Sequence, residues 1–476
     1  MALKMRFFFL KLAEEYELPG ILGHPPNITS IYPPLGLLYI GAILENEGHD
    51  VEIIDLGIES LSEEQLKKCL IKSDVVGISV YTNNYKNAAN IARIIKEFDT
   101  NIPLIIGGPH CTFLKQKSLI DIPYADIAVE LEGELPILDI VQYLQGSKKL
   151  NDINGIYYKQ NNEIKSGKSF KLIKDMDNIP FPARHLVDKY DYGKLPWGYH
   201  FKKKFTSMIT SRGCPFHCRF CSRYNNVING YGFSQRSAEN VVKEIQEIND
   251  KYGSVAIVDD CFLADKKRSH KIFDMLIEIG TDVEIIIMGA RVDSADESLY
   301  KKMKKVGVGY MSFGIESGNQ EVLDYYNKKI TLQQIKNAVK LGREMGFFLS
   351  ASLIFGGPIE TKEHLSKTIR FICSLPLDTI VIRPFYYDLG AELWVNAVSK
   401  GIIKEDEYLV PTDSRRGLGK LTLDEIKIYQ RKAFRHFYFH PRYIISQFYR
   451  ALLQKDITRI KNTLKIITSS QLKNIL

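Results

Sequence analysis

Short apolar runs alternate with amphipathic stretches of helical period through most of this chain, and no other feature limits its fold as much. A strand–helix–strand repeat buries its faces as a parallel sheet with helices packed against it. In the first third the strands read Met5–Leu10, Val51–Asp55, Asp74–Ser79, Pro103–Gly107 and Asp126–Val129. Helical stretches near Leu35–Glu47, Leu61–Ile71, Tyr85–Glu97 and Leu135–Gln145 separate them, with Gly, Pro or Asn at the joints. Five strands so connected predict an α/β domain over residues 1–150, a doubly wound parallel sheet of flavodoxin- or Rossmann-like type.

Residues 151–166 read as a hairpin turning at Gln160–Asn162, and MDNIPFPARHL, with its two prolines, as an extended connector. Hairpin and linker together occupy residues 151–200. From Ser207 a second series begins, with strands MITSR, VAIVDD, VEIIIMG, YMSFGIE, LSASLIF and TIVIRP. Helices over Ser237–Tyr252, Lys266–Ile279, Asp296–Val306, Leu332–Met345 and Lys362–Ser374 lie between them. Right-handed crossovers wind such units into a partial (β/α)6 TIM-like barrel over residues 201–390, with functional groups gathered at the strand carboxyl ends. From about Ala391 the alternation stops. Thr422–Phe439 and Pro441–Ile467 read as basic, aromatic-studded helices in a C-terminal appendage over residues 391–476.

With 45% apolar and 25% charged residues, the chain reads as an ordinary folded protein, which excludes a disordered or fibrous class. Charges interrupt every apolar run well short of the ~18 residues of a membrane span. The N-terminal run Phe7–Leu10 is too short for a signal h-region, so the expected location is the cytoplasm. Net charge is +8, but the last 46 residues hold ten Lys or Arg against the single acid Asp456, leaving the other 430 near −1. In that tail Arg431, Arg435, Arg442 and Arg450 are interleaved with Phe434, Phe437, Tyr438, Phe439, Tyr443, Phe448 and Tyr449. The pattern suits an aromatic core face backed by a solvated basic face. That reading comes first; peripheral contact with an anionic membrane, at about 1 kcal/mol per basic residue near the surface, is the second. Single-stranded nucleic acid would also fit the chemistry, yet no known nucleic-acid module appears and none is expected as a partner.

Of seven cysteines, Cys69, Cys111, Cys261 and Cys373 stand alone, while Cys214, Cys218 and Cys221 form a C-x3-C-x2-C array in TSRGCPFHCRFC, directly after the first barrel strand. Three thiolates on one short loop can ligate three irons of a cubane and leave the fourth open to an exchangeable ligand. The competing reading is a structural zinc site. Structural zinc is four-coordinate and closed, and the only fourth ligand on this loop would be His217, lying between two of the cysteines.

The array resembles that of the radical S-adenosylmethionine (SAM) enzymes, and the domain ahead of it resembles the cobalamin-binding domain that many of them carry. The resemblance implies a [4Fe–4S] cluster on Cys214, Cys218 and Cys221, SAM chelating the open iron, and reductive cleavage to a 5′-deoxyadenosyl radical. It implies SAM contacts at Phe220, at Asp259 and Asp260 in VDDCF, Arg291 in GARVD, Glu316 in FGIESG, and Gly356 and Gly357 in IFGGPIET. All lie at strand carboxyl ends. In the first domain, Ser79 of VGISVYT and Gly107, Gly108 and His110 of IIGGPHCT match family loops that approach the corrin and its nucleotide tail. Two departures stand out. No D-x-H-x-x-G occurs, so no histidine of that motif can be a lower cobalt ligand, and the family's G-E-G-E reads LEGE here, with Leu131 at the first glycine. A branched side chain there would hinder close backbone approach to a ligand.

The activity so implied is modification of an unactivated carbon, most readily cobalamin-dependent methylation of a small molecule, with flavodoxin or ferredoxin as the electron donor. Carbon–carbon coupling or cyclisation of a lipid, isoprenoid or tetrapyrrole is the rival. A non-catalytic metal-bound nucleic-acid-binding protein is a third reading, of another class.

Overall fold

The computed structural model describes residues 4–13, 32–193, 199, 201–202, 204–224 and 232–453. The chain divides into two compact units, with the boundary between Tyr192 and Gly193.

The first unit contains β1 (Arg6–Lys11), α1 (Leu35–Asn46), β2 (Asp50–Asp55), α2 (Glu63–Leu70), β3 (Val75–Ser79), α3 (Tyr85–Phe98), β4 (Leu104–Gly107), α4 (Pro109–Leu114), α5 (Ser118–Asp121), β5 (Ile127–Val129), α6 (Glu134–Leu144), β6 (Ile156–Gln160) and β7 (Glu163–Ser166). Its sheet runs β2-β1-β3-β4-β5-β6-β7. The first five strands are parallel, and the strand order reverses between β1 and β3, where doubly wound sheets bind ligands beyond the carboxyl ends. Phe8, Leu10, Val76, Ile78, Leu104 and Ile106 form one side of its core, against Ala88, Ala92 and Ile95 of α3.

The expected hairpin is present, but as part of this sheet and outside the linker. β6 pairs antiparallel with β5, and β7 with β6, so the unit extends past residue 150. The reason is the exposed edge of β5, whose backbone groups β6 satisfies. Beyond it Tyr190 and Tyr192 reach back to the end of β2. The Tyr192 hydroxyl donates to the Asp55 carboxylate at 3.1 Å, and the Asp55 amide donates to the Tyr190 hydroxyl at 3.2 Å. Buried Asp55 is also paired with Lys11 at 3.4 Å.

The second unit contains β8 (Phe205–Met208), β9 (Ser211–Arg212), β10 (Ser234–Gln235), α7 (Ala238–Asn249), β11 (Ser254–Ile257), α8 (Lys266–Ile279), β12 (Glu284–Ala290), α9 (Glu297–Lys305), β13 (Val308–Glu316), α10 (Gln320–Tyr325), α11 (Leu332–Glu344), β14 (Phe348–Phe355), α12 (Lys362–Ser374), β15 (Thr379–Pro384), β16 (Tyr386–Asp388), α13 (Glu392–Ser399), β17 (Leu409–Pro411), α14 (Leu423–Tyr438) and α15 (Pro441–Leu453). β8, β11, β12, β13, β14 and β15 form one all-parallel sheet in that order, the open six-stranded barrel. Strands such as EIIIMGA read as near-continuous apolar runs because both faces are covered.

The C-terminal region is no appendage. Leu421, Ile426, Ala433, Phe434, Phe437 and Tyr438 bury into the barrel core, and the Tyr438 hydroxyl meets Thr379 Oγ1 at 2.8 Å. Helical spacing of these apolar residues lays one face of α14 on the sheet and leaves Arg431 and Arg435 on the exposed side. α15 is clasped by buried Asp378, which pairs with Arg450 and accepts from Gln447 at 3.1 Å. Its outer face carries Arg442, Ile445, Phe448 and Tyr449. The part of the expected last helix beyond Leu453 lies outside the described residues. Among the described residues no helix is long and apolar enough to cross a membrane.

Candidate functional site

β8 ends at Met208 and the chain turns through Gly213, whose φ of +79° suits a residue without Cβ, into the cysteine loop. The three thiols share one neighbourhood. Burial is the largest cause that raises the Cys221 thiol, to about 12, and Cys218 and Cys214 each push it the same way. Burial also raises Cys218, against the pull of Lys328 and Arg291. Cys214 is lowered, first by a hydrogen bond from the Cys261 thiol just past β11, so Cys261 stands beside the array although it is remote from it in sequence. A cubane, which spreads its thiolates over three irons, is the group this donor set fits. His217 faces Arg223 Nη1 at 2.8 Å.

The strand-end residues divide into those that build this loop and those that face out. Asp259 is buried. Its carboxylate accepts from the Thr210 amide and hydroxyl, both at 2.6 Å, and from the Ser211 hydroxyl at 2.5 Å, fixing the start of the cysteine loop. Burial raises this carboxyl despite those donors. Asp260 exposes its side chain, and its carboxyl is raised by partial loss of solvent and then by Asp259. Arg291 is buried and forked onto Asp293 at 3.0 and 2.8 Å, donates to the Lys328 carbonyl at 2.9 Å, and lies 3.6 Å above the Phe216 ring. Gly356 and Gly357 donate both amides to one oxygen of buried Glu360, at 2.8 and 2.9 Å. Burial lifts the Glu360 carboxyl to about 7 against those two donors. A Cβ on Gly357 would collide with the Tyr326 hydroxyl.

Sequence reasoning missed the segment that clamps the loop. Tyr325 closes the six-residue α10, and Tyr326 to Lys328 follow it. The Arg219 amide donates to the Tyr326 carbonyl at 2.9 Å, Arg219 Nη1 to the Tyr325 carbonyl at 3.2 Å, and Asn327 Nδ2 to the His217 carbonyl at 2.7 Å. Phe220 sets its ring edge-on to Tyr326 at 5.1 Å. Lys328 Nζ is buried and paired with Glu316 at 2.6 Å. Burial works against that ammonium, but Glu316 and then Cys218 outweigh it and the net is upward. Glu316 itself holds a left-handed φ of +63°, which costs a non-glycine residue about 1–3 kcal/mol and persists only where its surroundings impose it. A register shift between Gly314 and Glu316 in the β13–β14 ladder places it there.

In the first unit Ser79, Gly107 and Gly108 sit partly exposed at the ends of β3 and β4. Gly108 has φ +106°, and a Cβ there would lie 2.8 Å from the Val80 carbonyl oxygen, so backbone geometry alone demands glycine. His110 turns inward. Its ring is buried, stacked on Tyr85 at 4.9 Å and 3.4 Å from Asp121, so only its backbone belongs to the loop edge. Asn84, also buried, accepts from the Tyr81 amide at 2.8 Å, which leaves its Nδ2 donor with no partner among the described residues. A cradle shaped by backbone with an unspent donor fits a ligand rich in amide and phosphate oxygens. Leu131, expected to obstruct, instead adopts φ +63°, its amide donating to Thr112 Oγ1 at 2.9 Å. The position needs a left-handed backbone, and that hydrogen bond helps leucine supply it.

Residues 208–372 match the radical SAM superfamily and residues 27–141 match the B12 binding domain. The uncharacterized methyltransferase PH0819 of Pyrococcus horikoshii is 32% identical, over 88% of this chain and 90% of its own. The anaerobic magnesium-protoporphyrin IX monomethyl ester cyclase of Cereibacter sphaeroides is 27% identical, over 72% of this chain and 57% of its own. Among solved structures, the radical S-adenosylmethionine methyltransferase TsrM of Kitasatospora setae, with cobalamin and a [4Fe-4S] cluster bound, superposes with a TM-score of 0.64 at 16% identity, covering 84% of this chain and 75% of that one. That likeness speaks to the fold.

Proposed function

The chain belongs to the radical SAM superfamily, carries a B12-binding domain ahead of the radical SAM domain, and from that premise we propose that it methylates an unactivated carbon of a small-molecule substrate in the cytoplasm. When bound, the cluster with SAM supplies a 5′-deoxyadenosyl radical, and cobalamin supplies a methyl group. One observation carries the reading: a three-thiol loop at the carboxyl edge of an open parallel barrel, in one chain with a doubly wound sheet whose switch-point edge is shaped by backbone.

In this scheme Cys214, Cys218 and Cys221 hold three irons. Phe220 offers a ring face to the adenine, and exposed Asp260 offers an acceptor to the SAM amino group. Asp259, Arg291, Glu316 and the Gly356–Gly357 amides act from behind, since their polar groups are already engaged in the loops that present the ligands. Ser79, Gly107, Gly108 and the backbone at His110 line the cobalamin edge, with Asn84 Nδ2 as a donor to it. A flavodoxin or ferredoxin supplies the electron. The exposed Ile445, Phe448 and Tyr449 beside Arg442 support peripheral contact with an anionic membrane, which co-sedimentation with anionic vesicles tests directly.

Protein reconstituted anaerobically with iron, sulfide and cobalamin, then given reductant and SAM, is expected to show an iron–sulfur chromophore and to release 5′-deoxyadenosine. It is also expected to release S-adenosylhomocysteine as the SAM methyl group passes to the reduced cobalamin. The second reading, coupling or ring closure, is favoured by the cyclase similarity and yields no S-adenosylhomocysteine. Failure to cleave SAM at all would end both.

A further inference from the structure

Lys328 is a buried cation without a task in the scheme above. Its ammonium sits 2.6 Å from Glu316 and 5.8 Å from the centre of the Phe220 ring, one residue before Cys221. Room for the pair comes from Gly314, where a Cβ would lie 2.7 Å from Glu316 Oε1 and 3.0 Å from Lys328 Nζ. The backbone on either side is tied to the cysteine loop: the Lys328 carbonyl accepts from Arg291, which covers Phe216, and Asn327 holds the His217 carbonyl. An apolar pair would fill this volume without the desolvation that two buried charges incur. The fold instead keeps a glycine and a left-handed glutamate to seat them. The ammonium reaches the cysteine loop over the ring of Phe220, which lies between Cys218 and Cys221 in the sequence.

We propose that Lys328, held by Glu316, sets the reduction potential of the cluster carried by Cys214, Cys218 and Cys221. The inference rests on the ligand assignment made above. A fixed positive charge in a low-dielectric surround favours whichever cluster state is more negative, which is the reduced one. Lys328 therefore raises the potential and eases electron entry, and Glu316, of opposite charge, offsets part of that effect while locking the ammonium in place.

The test is a redox titration of the anaerobically reconstituted full chain, without SAM, followed by the electron paramagnetic resonance signal of the reduced cluster. Lys328→Gln should shift the midpoint to more negative potential, Glu316→Gln to more positive, and Lys328→Arg should stay near wild type. Opposite signs separate an electrostatic role from a structural one, because loss of a clamp would move both variants the same way. Equal or absent shifts overturn the proposal, as does a Lys328→Gln variant whose potential is unchanged and whose SAM binding alone is weakened. If both glutamine variants fail to take up iron that wild type takes up, the pair is a clamp and the proposal falls. A wild-type chain that binds no iron defeats the ligand assignment instead, and the inference goes with it.

Discussion

The carboxyl edge of the barrel and the carboxyl edge of the first sheet are built from the same repeat but prepare for ligands in opposite ways. At the barrel edge the polar side chains are spent on one another: Asp259 on Thr210 and Ser211, Arg291 on Asp293, Glu316 on Lys328, Glu360 on two glycine amides. Of the thiols, Cys218 is buried and Cys214 and Cys221 are half-buried, while Asp260 is exposed. At the first sheet's edge it is the backbone that is specialised, through Gly108 and Leu131, while His110 is turned into the core. A site that must hold metal against competing water needs rigid, preorganised ligands. A large cofactor with many oxygens needs a contour and a few donors.

The strongest way to break this contrast is to remove the sulfur ligands. Replacing Cys214, Cys218 and Cys221 by alanine together should abolish the iron–sulfur absorbance and 5′-deoxyadenosine formation, while cobalamin uptake, read from its visible spectrum, stays at the wild-type level. Loss of both together would mean that the two edges are not separable.

Next in size is a pH effect that belongs to the barrel edge. Glu360 titrates at about 7 in the fold against an ordinary 4.5, so it retains a proton there that the unfolded chain has released. Its contribution to stability is full below 4.5, falls as pH rises and is lost by about 7. Glu360→Gln keeps an oxygen for the two glycine amides and cannot ionise. Each tenfold gain in proton affinity on folding is worth ~1.4 kcal/mol, so at pH 8 the variant should be more stable than wild type by at most about 3 kcal/mol, and level with it near pH 4. Urea titrations at both pH values decide this; a difference that does not grow with pH contradicts burial as the cause.

Gly108→Ala strikes the other edge. Its backbone angle and the 2.8 Å approach to Val80 should cost about 2 kcal/mol and most of the cobalamin uptake, with iron content unchanged. A variant that binds cobalamin normally would show that the cradle is not where the cofactor rests.

These edges were unequally legible in the sequence. Strand period, helix period and the C-x3-C-x2-C spacing are local, and they located the five parallel strands of the first sheet, the six of the barrel and the loop that bears the thiols. Pairings are not local. Asp259 and Asp260 are adjacent and chemically identical, yet one is an internal anchor and the other faces out, because alternate residues leaving a strand point opposite ways. Lys328 lies in NKK, where nothing in the spacing says that a β-bulge at Glu316 will bring a carboxylate to meet it. The hairpin after residue 150 was visible as a hairpin, but its pairing with β5 depends on an edge that only the assembled sheet presents.

The finest distinction concerns Leu131, where the departure from G-E-G-E suggested a steric fault and the structure shows a conformational requirement that leucine meets with help from Thr112. Leu131→Gly would relieve the left-handed strain, worth about 1 kcal/mol, and would add a similar entropy to the unfolded chain. Net stability should therefore change by less than about 1 kcal/mol, and cobalamin affinity should stay within a few-fold of wild type. A large gain in affinity would mean that the isobutyl group does obstruct the cradle, and that backbone shape alone does not govern that edge. Thr112→Val keeps the volume but removes both the acceptor for the residue-131 amide and the donor to the Gly108 carbonyl. Urea titration should therefore show the loop destabilised by about 1 kcal/mol whether residue 131 is leucine or glycine; a loss confined to the leucine background would mean that the side chain, and not the backbone amide, depends on Thr112.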